Sequence, residues 1–139
     1  MKMDLNFDSR KAEAMLARAV SKNQKSIQNA ALDTAFKGIE IIERRTAKGQ
    51  GIYKPFAPYS QSYKQWKAKK QPFGVVNLEL SGDMLGAMQA TKIRGGAEIG
   101  FTRLTEAKKA LGNNQKRRFF GFSNREKNKL TRWFYRYFK

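Results

Sequence analysis

MQATKIRGGAEIGF, residues 88–101, decides how the rest of the chain is read. Two short runs, 88–94 and 97–101, flank Gly95-Gly96. A glycine pair in that place signals a two-residue hairpin, because the turns that match strand twist need positive φ. In that register Ile99 and Phe101 share a buried face with Ile93 across the turn.

Such a face must be covered by another element, and residues 9 to about 46 offer one. Leu16, Val20, Ile27, Ala31, Ala35, Ile39 and Ile42 recur at threes, fours and a seven, which places them on one side of a helix, widened by Leu32 and Phe36. Val20 to Asn29 is polar except for Ile27, and Ser21 with Gln24 has capping-box spacing. One long helix, or two joined near 20–23, both fit, with the break favoured. Val76, Leu78 and Leu80 alternate as a short strand over 75–80, after a break at Gln71-Pro72-Phe73-Gly74. Ser81-Gly82-Asp83 turns into one or two helical turns carrying Met84, Leu85 and Met88. Leu104 to Leu111 is a short helix stopped by Gly112-Asn113-Asn114, and Arg118 to Phe122 is a strand or an extended arm. Ser123 and Glu126 then form a capping box ahead of a last helix. The architecture is α+β over 1–139 as one domain: a small antiparallel sheet packed against a long N-terminal helix, with short additional helices and a C-terminal helix.

Between the first helix and the sheet lies GIYKPFAPYSQSYKQWK, residues 51–67, with five aromatic rings, two prolines and three lysines in seventeen residues. Gly49 and Gly51 open this extended aromatic loop, which runs over 49–74, and Ser60 caps a short helix through about Lys70. Spacers are poor in rings, and the prolines break both helical and strand periods. A segment of this composition either folds back on the core or docks on a partner.

The chain carries 29 Lys plus Arg against 11 Asp plus Glu, a formal charge of +18 in 139 residues. That balance draws polyanions: nucleic acid, anionic membrane or acidic protein surfaces. Residues 101–139 alone hold twelve bases and two acids. With no cysteine and no histidine, the chain lacks thiolate metal sites, the commonest metal ligand and the usual general base at neutral pH. Gly49-Gln50-Gly51 lacks the Lys-Ser or Lys-Thr of a phosphate loop. Glu79 and Asp83 are the one local acid pair near a glycine turn, but two carboxylates make a poor cation cage, and Asp83 suits a helix N-terminus better. No catalytic residue, metal or cofactor is expected. No apolar run approaches a membrane span or a signal-peptide core, so no membrane partner and synthesis in a cytoplasm are expected.

In KNKLTRWFYRYFK, Leu130, Trp133, Phe134 and Tyr137 form a helical stripe flanked by Lys129, Arg132 and Arg136. This stripe docks on the sheet, fills a partner's groove, or lies along an anionic polymer. Lys108-Lys109 and Lys116-Arg117-Arg118 are either solvated charge or an edge that contacts phosphates without reading bases.

Taken in order, these motifs resemble a known family. Arg45-Thr46 with its glycine pair, Phe56-Ala57-Pro58-Tyr59-Ser60 with Tyr63, the turn LELSGDML at 78–85, Glu98-Ile99-Gly100-Phe101, and Arg118 to Ser123 resemble the virion morphogenesis, or tail-completion, proteins of tailed bacteriophages. The resemblance spans roughly residues 40–130. Many of those proteins place a histidine near Asn113-Asn114, and this chain has none.

The resemblance implies a homo-oligomeric ring of a neck protein at the head–tail junction of the virion. Its partners would be portal or head connector proteins on one side and tail terminator or tail tube proteins on the other. A ring subunit needs unlike surfaces for its neighbour and for an axial partner. Tyr53, Pro55, Phe56, Pro58, Tyr59, Tyr63 and Trp66 are the expected protein interface, since rings give large contact area and prolines limit the loop's wandering. Lys108, Lys109, Lys116, Arg117, Arg118, Arg132 and Arg136 are the expected contacts to DNA or acidic partners. The charge is assigned mostly to protein, with weak non-specific DNA contact, because tight binding of phosphates would obstruct DNA passage. The alternative is a sequence-independent nucleic-acid-binding protein using the basic aromatic C-terminal region.

Overall fold

A computed structural model describes residues 1–5, 14, 17–18, 24–70 and 83–138. The helical stretch before residue 24, its break near 20–23, the Ser21 capping box, Glu79 and the strand over 75–80 lie outside the described residues.

The first helix, α1 (Gln24–Ala47), turns a face of small and branched residues inward: Ile27, Ala31, Ala35, Ile39 and Ile42 are all buried, as their spacing requires. Buried Thr34 satisfies its hydroxyl by donating to the Ala30 carbonyl at 2.7 Å. At Gly38 the packing is so close that a Cβ would sit 2.7 Å from Phe122 Cζ and 3.3 Å from Ile99 Cδ1. Phe36 does not join this face. It is 51% exposed, because at two residues before Gly38 it points away from the sheet.

The sheet has three strands, β1 (Met3–Leu5), β2 (Met88–Ile93) and β3 (Gly96–Phe101), antiparallel with β3 central. Met88 pairs with Phe101, Ala90 with Ile99 and Lys92 with Ala97, and these pairs share the face toward α1, where Lys92 Nζ donates to Asn29 Oδ1 at 2.7 Å. The other face carries exposed Gln89 and Thr91 and a Lys2–Glu98 ion pair at 3.5 Å. One packed and one polar face is the usual antiparallel arrangement.

The hairpin turn falls one residue earlier than the glycine pair suggests. Arg94-Gly95 forms the loop, Gly95 takes φ 78°, and Gly96 already pairs with Ile93. Ile93 therefore lies on the face opposite Ile99 and Phe101, since a one-residue shift of register exchanges the two faces.

Three further helices complete the described fold beyond the loop: α3 (Asp83–Gly86), α4 (Leu104–Lys116) and α5 (Asn124–Arg136). Glycine and asparagine at 112–114 do not stop α4, which continues through Lys116. Tertiary bonds hold the asparagines in its last turns: Asn113 Nδ2 donates to the Lys109 carbonyl at 2.9 Å, and Asn114 Oδ1 accepts the Phe119 and Phe120 amides, both at 3.1 Å. The arm after α4 is extended, joins no strand, and drives Phe119, Phe120 and Phe122 into the core. α5 begins at the expected capping box, with Ser123 Oγ accepting the Glu126 amide and Glu126 Oε1 accepting the Ser123 amide. It packs on α1 through buried Leu130 and Phe134, with Tyr135 and Phe138 alongside, whereas Tyr137 is 49% exposed and outside that stripe.

Candidate functional site

After α1, Gly49 takes φ 76°, and the chain closes into a small loop. The Phe56 amide donates to the Gly49 carbonyl and the Gly51 amide to the Lys54 carbonyl, both at 2.9 Å. The Ile52 amide donates to the Arg118 carbonyl at 2.9 Å, which ties the loop to the phenylalanine arm. Half-buried Phe56 packs against the core, and the Ile52 side chain approaches the place a Cβ would occupy on Gly121. Tyr53, Pro55 and Pro58 stay exposed. The aromatic segment is thus divided between covering the core and facing outward.

Gly51 decides whether the loop stays down. A Cβ there would lie 2.7 Å from the Arg118 carbonyl oxygen and 2.9 Å from that of Lys54, and backbone oxygens cannot swing aside. Gly51→Ala is expected to lift the loop from the arm, costing about 1–3 kcal/mol. Amide hydrogen exchange checks it: the Ile52 and Phe56 amides should lose protection while those of β3 keep theirs.

The second half of the segment is α2 (Gln61–Lys70), capped by Ser60, whose Oγ accepts the Tyr63 amide at 3.3 Å. Tyr59, Tyr63 and Trp66 form a ladder of rings with centroids 4.7 and 5.6 Å apart. Tyr59 sits between two cations, the Arg117 guanidinium 4.6 Å and the Lys67 ammonium 4.8 Å from its ring centre. Arg117 also donates to the carbonyls of Ala57 at 2.9 Å and Pro58 at 3.0 Å. Its guanidinium is therefore engaged with the aromatic loop. Tyr63 and Trp66 present the ladder's outer edge, at 36% and 46% exposed. Burial, and then the neighbouring Tyr59, push the Tyr63 phenol above the ordinary tyrosine value, so it stays neutral at physiological pH.

The remaining basic residues lie on two helices and the arm. Lys108, Lys109 and Lys116 are exposed on α4, Arg118 on the arm, and Arg132 and Arg136 on α5. Lys109 pairs with buried Glu106 at 3.2 Å. On α5, half-buried Trp133 lies beside Lys37 Nζ at 4.5 Å and the Arg136 guanidinium at 5.6 Å. Glu40 on α1 is held below the usual carboxylate range by its hydrogen bond to Lys37 and by the charge of Arg44.

A cleft of about 450 Å³ opens where the loop, the arm, β1 and α5 meet. Its apolar lining includes Ile52, Phe120, Phe122 and Leu130, while Tyr53, Arg118 and Lys127 bring a ring and two cations to it. Two expected groups, the aromatic loop and the basic arm, thus meet there through Tyr53 and Arg118, as they do through Tyr59 and Arg117.

Several contributors carry no sequence signal of their own. Asn114 fastens the arm; Lys37 joins Trp133 from α1; Arg45 Nη1 pairs with Glu126 across 81 residues at 2.7 Å. Only the stripe logic of α1 and α5 hinted that such residues face each other. Among the described residues no cluster of three or more acids could hold a metal ion, and no helix is long and apolar enough to cross a membrane. Scans against protein-family models, curated proteins and solved structures each return no match.

Proposed function

We propose that the chain is a non-enzymatic assembly subunit of a tailed-phage virion, forming a ring at the head–tail junction through which DNA passes. Motif order suggested the family. The observation that carries the reading is the anchored aromatic loop: Ile52 and Phe56 fasten it to the core and Arg117 braces it, while Tyr53, Tyr63 and Trp66 face outward. A loop ordered before contact loses little entropy on docking, and exposed rings beside cations suit a partner that is apolar at its centre and acidic at its rim. The portal or connector on one side and the tail terminator or tail tube on the other are the expected occupants.

Mass spectrometry of purified virions, with gold-labelled antibody on the same particles, tests this. The chain should be present in several copies per particle, with label at the head–tail junction; its absence from intact particles would contradict the proposal.

The second reading, a sequence-independent nucleic-acid binder, draws on Trp133 flanked by cations and on exposed Arg132 and Arg136. Salt separates the two. Assembly predicts weak duplex binding that modest salt abolishes, whereas submicromolar binding at physiological salt with a steep salt slope would favour the second reading.

A further inference from the structure

Two helix faces remain after the core, the loop and the cleft have been accounted for, and they are opposite in character. On α4, Leu104 is 72% exposed and Leu111 50% exposed. Seven residues apart with Lys108 between them, they form one stripe along the helix. The only acid of α4, Glu106, is buried at 4% exposure, so the face that α4 presents outward is purely basic, with Lys116 at its end. Two exposed leucines on so charged a surface are not explained by anything α4 does within the chain.

On α1 the outward face is centred on Phe36, 51% exposed. Asp33, Glu40 and Glu43 lie three, four and seven residues from it, the spacing that brings side chains together on one face. Three of the chain's eleven carboxylates therefore surround a single exposed ring, in a protein whose overall charge is +18. This is the acidic patch of a basic molecule, with an apolar centre.

The geometry points to a head-to-tail contact between copies of this chain, in which the Leu104–Lys108–Leu111 stripe of one copy seats on the Phe36 face of the next. The inference rests on the proposed self-assembly and identifies the surfaces that carry it. Apolar meets apolar at the centre, and lysine meets carboxylate around it, which is the arrangement of a buried core with a polar rim. Because the two faces differ, each copy keeps one of each free after pairing. The contact is heterologous and propagates, closing into a ring when the rotation between copies permits. An acidic foreign protein would satisfy the α4 face alone and leave the matching face on α1 without a purpose; a second copy satisfies both. The aromatic loop is left free for an axial partner.

Sedimentation velocity of the full chain tests this with two variants, Leu104→Glu with Leu111→Glu on α4, and Phe36→Lys on α1. All three positions are exposed, so each variant should keep the circular dichroism spectrum of the parent; should the leucine variant lose it, Lys108→Glu replaces it. The parent should form species larger than a dimer at tens of micromolar. Each variant alone should be monomeric there, a weakening of roughly thirtyfold or more. An equimolar mixture should give a dimer and nothing larger, since the intact α1 face of one variant meets the intact α4 face of the other and both outer faces of the pair are blunted. A parent that assembles, with variants that assemble equally well, would overturn this contact while leaving the ring. Variants that stay monomeric when mixed would show that the two faces do not meet each other, which also overturns it. A parent that stays monomeric would overturn the self-assembly on which the inference rests.

Discussion

Replacing Arg45 with methionine is expected to remove about 3 kcal/mol of folding stability, the effect of breaking a largely buried ion pair by taking one partner away. The Arg45 guanidinium, on a side chain only 12% exposed, donates to both carboxylate oxygens of Glu126, at 2.8 and 2.7 Å. Its other terminal nitrogen donates to the carbonyls of Phe119 and Gly121. One side chain near the end of α1 therefore holds the arm at two points and the first turn of α5 at a third. Methionine keeps much of the aliphatic stem, so the loss reports the hydrogen bonds and the stranded carboxylate. Glu126 would remain 19% exposed with its negative charge facing two carbonyl oxygens that have lost their donor. Urea denaturation measures the loss. Adding Glu126→Gln, which keeps an acceptor for the Ser123 amide, should recover part of it. Arg44→Ala is the control: that side chain is 74% exposed, and the change should cost under about 1 kcal/mol. An Arg45→Met loss as small as the control's would mean that the pair contributes no more than surface charge.

Phe119→Ala is expected to cost about 3–5 kcal/mol, the range for truncating a fully buried aromatic. Phe119 is 0% exposed, and its ring lies 6.2 Å from that of Phe120, which in turn meets Phe101 of β3 at 5.3 Å. The substitution leaves a void at the centre of the arm and loosens residues that act elsewhere. Arg118, next in the chain, accepts the Ile52 amide, and Arg117 braces Ala57 and Pro58. Loss of the ring should therefore be felt in the aromatic loop, with faster amide exchange at Ile52 as well as a lower denaturation midpoint. A stability loss with the Ile52 amide still protected would separate the loop from the core and weaken the case for a preordered docking surface.

The hairpin and the covering helix were legible because each rests on a local period: alternation around a glycine pair, and apolar residues at threes and fours. What failed was resolution within those patterns. Either glycine of Gly95-Gly96 suits a positive φ, and only the packing of Ala97, Ile99 and Phe101 toward α1 selects the turn one residue earlier. β1 gave no signal, since three residues with one apolar-charged alternation exist as a strand only through the edge of β3. Gly112-Asn113-Asn114 has poor helix propensity, but hydrogen bonds to Lys109, Phe119 and Phe120 outweigh it. Phe36 belongs to the apolar content of α1 and not to its buried face, a distinction composition does not make. At the C-terminus the docking stripe runs Leu130, Phe134 and Phe138, so a reading that ended on Tyr137 was out by one residue.

The candidate site was legible as a composition and illegible as a geometry. Five rings and two prolines in 51–67 marked the loop. Which ring anchors and which faces outward depends on Arg117 and Arg118, more than fifty residues further along, and no local period links those positions.

The central claim is that these rings and bases act by holding proteins together at one place in a particle. Electron microscopy of particles made by a phage lacking this chain tests it most directly. The account predicts filled or emptied heads and separate tails, with joining restored when the chain is supplied and not restored by a chain in which Tyr53, Tyr63 and Trp66 are alanine. Intact particles with normally joined heads and tails in its absence would contradict it.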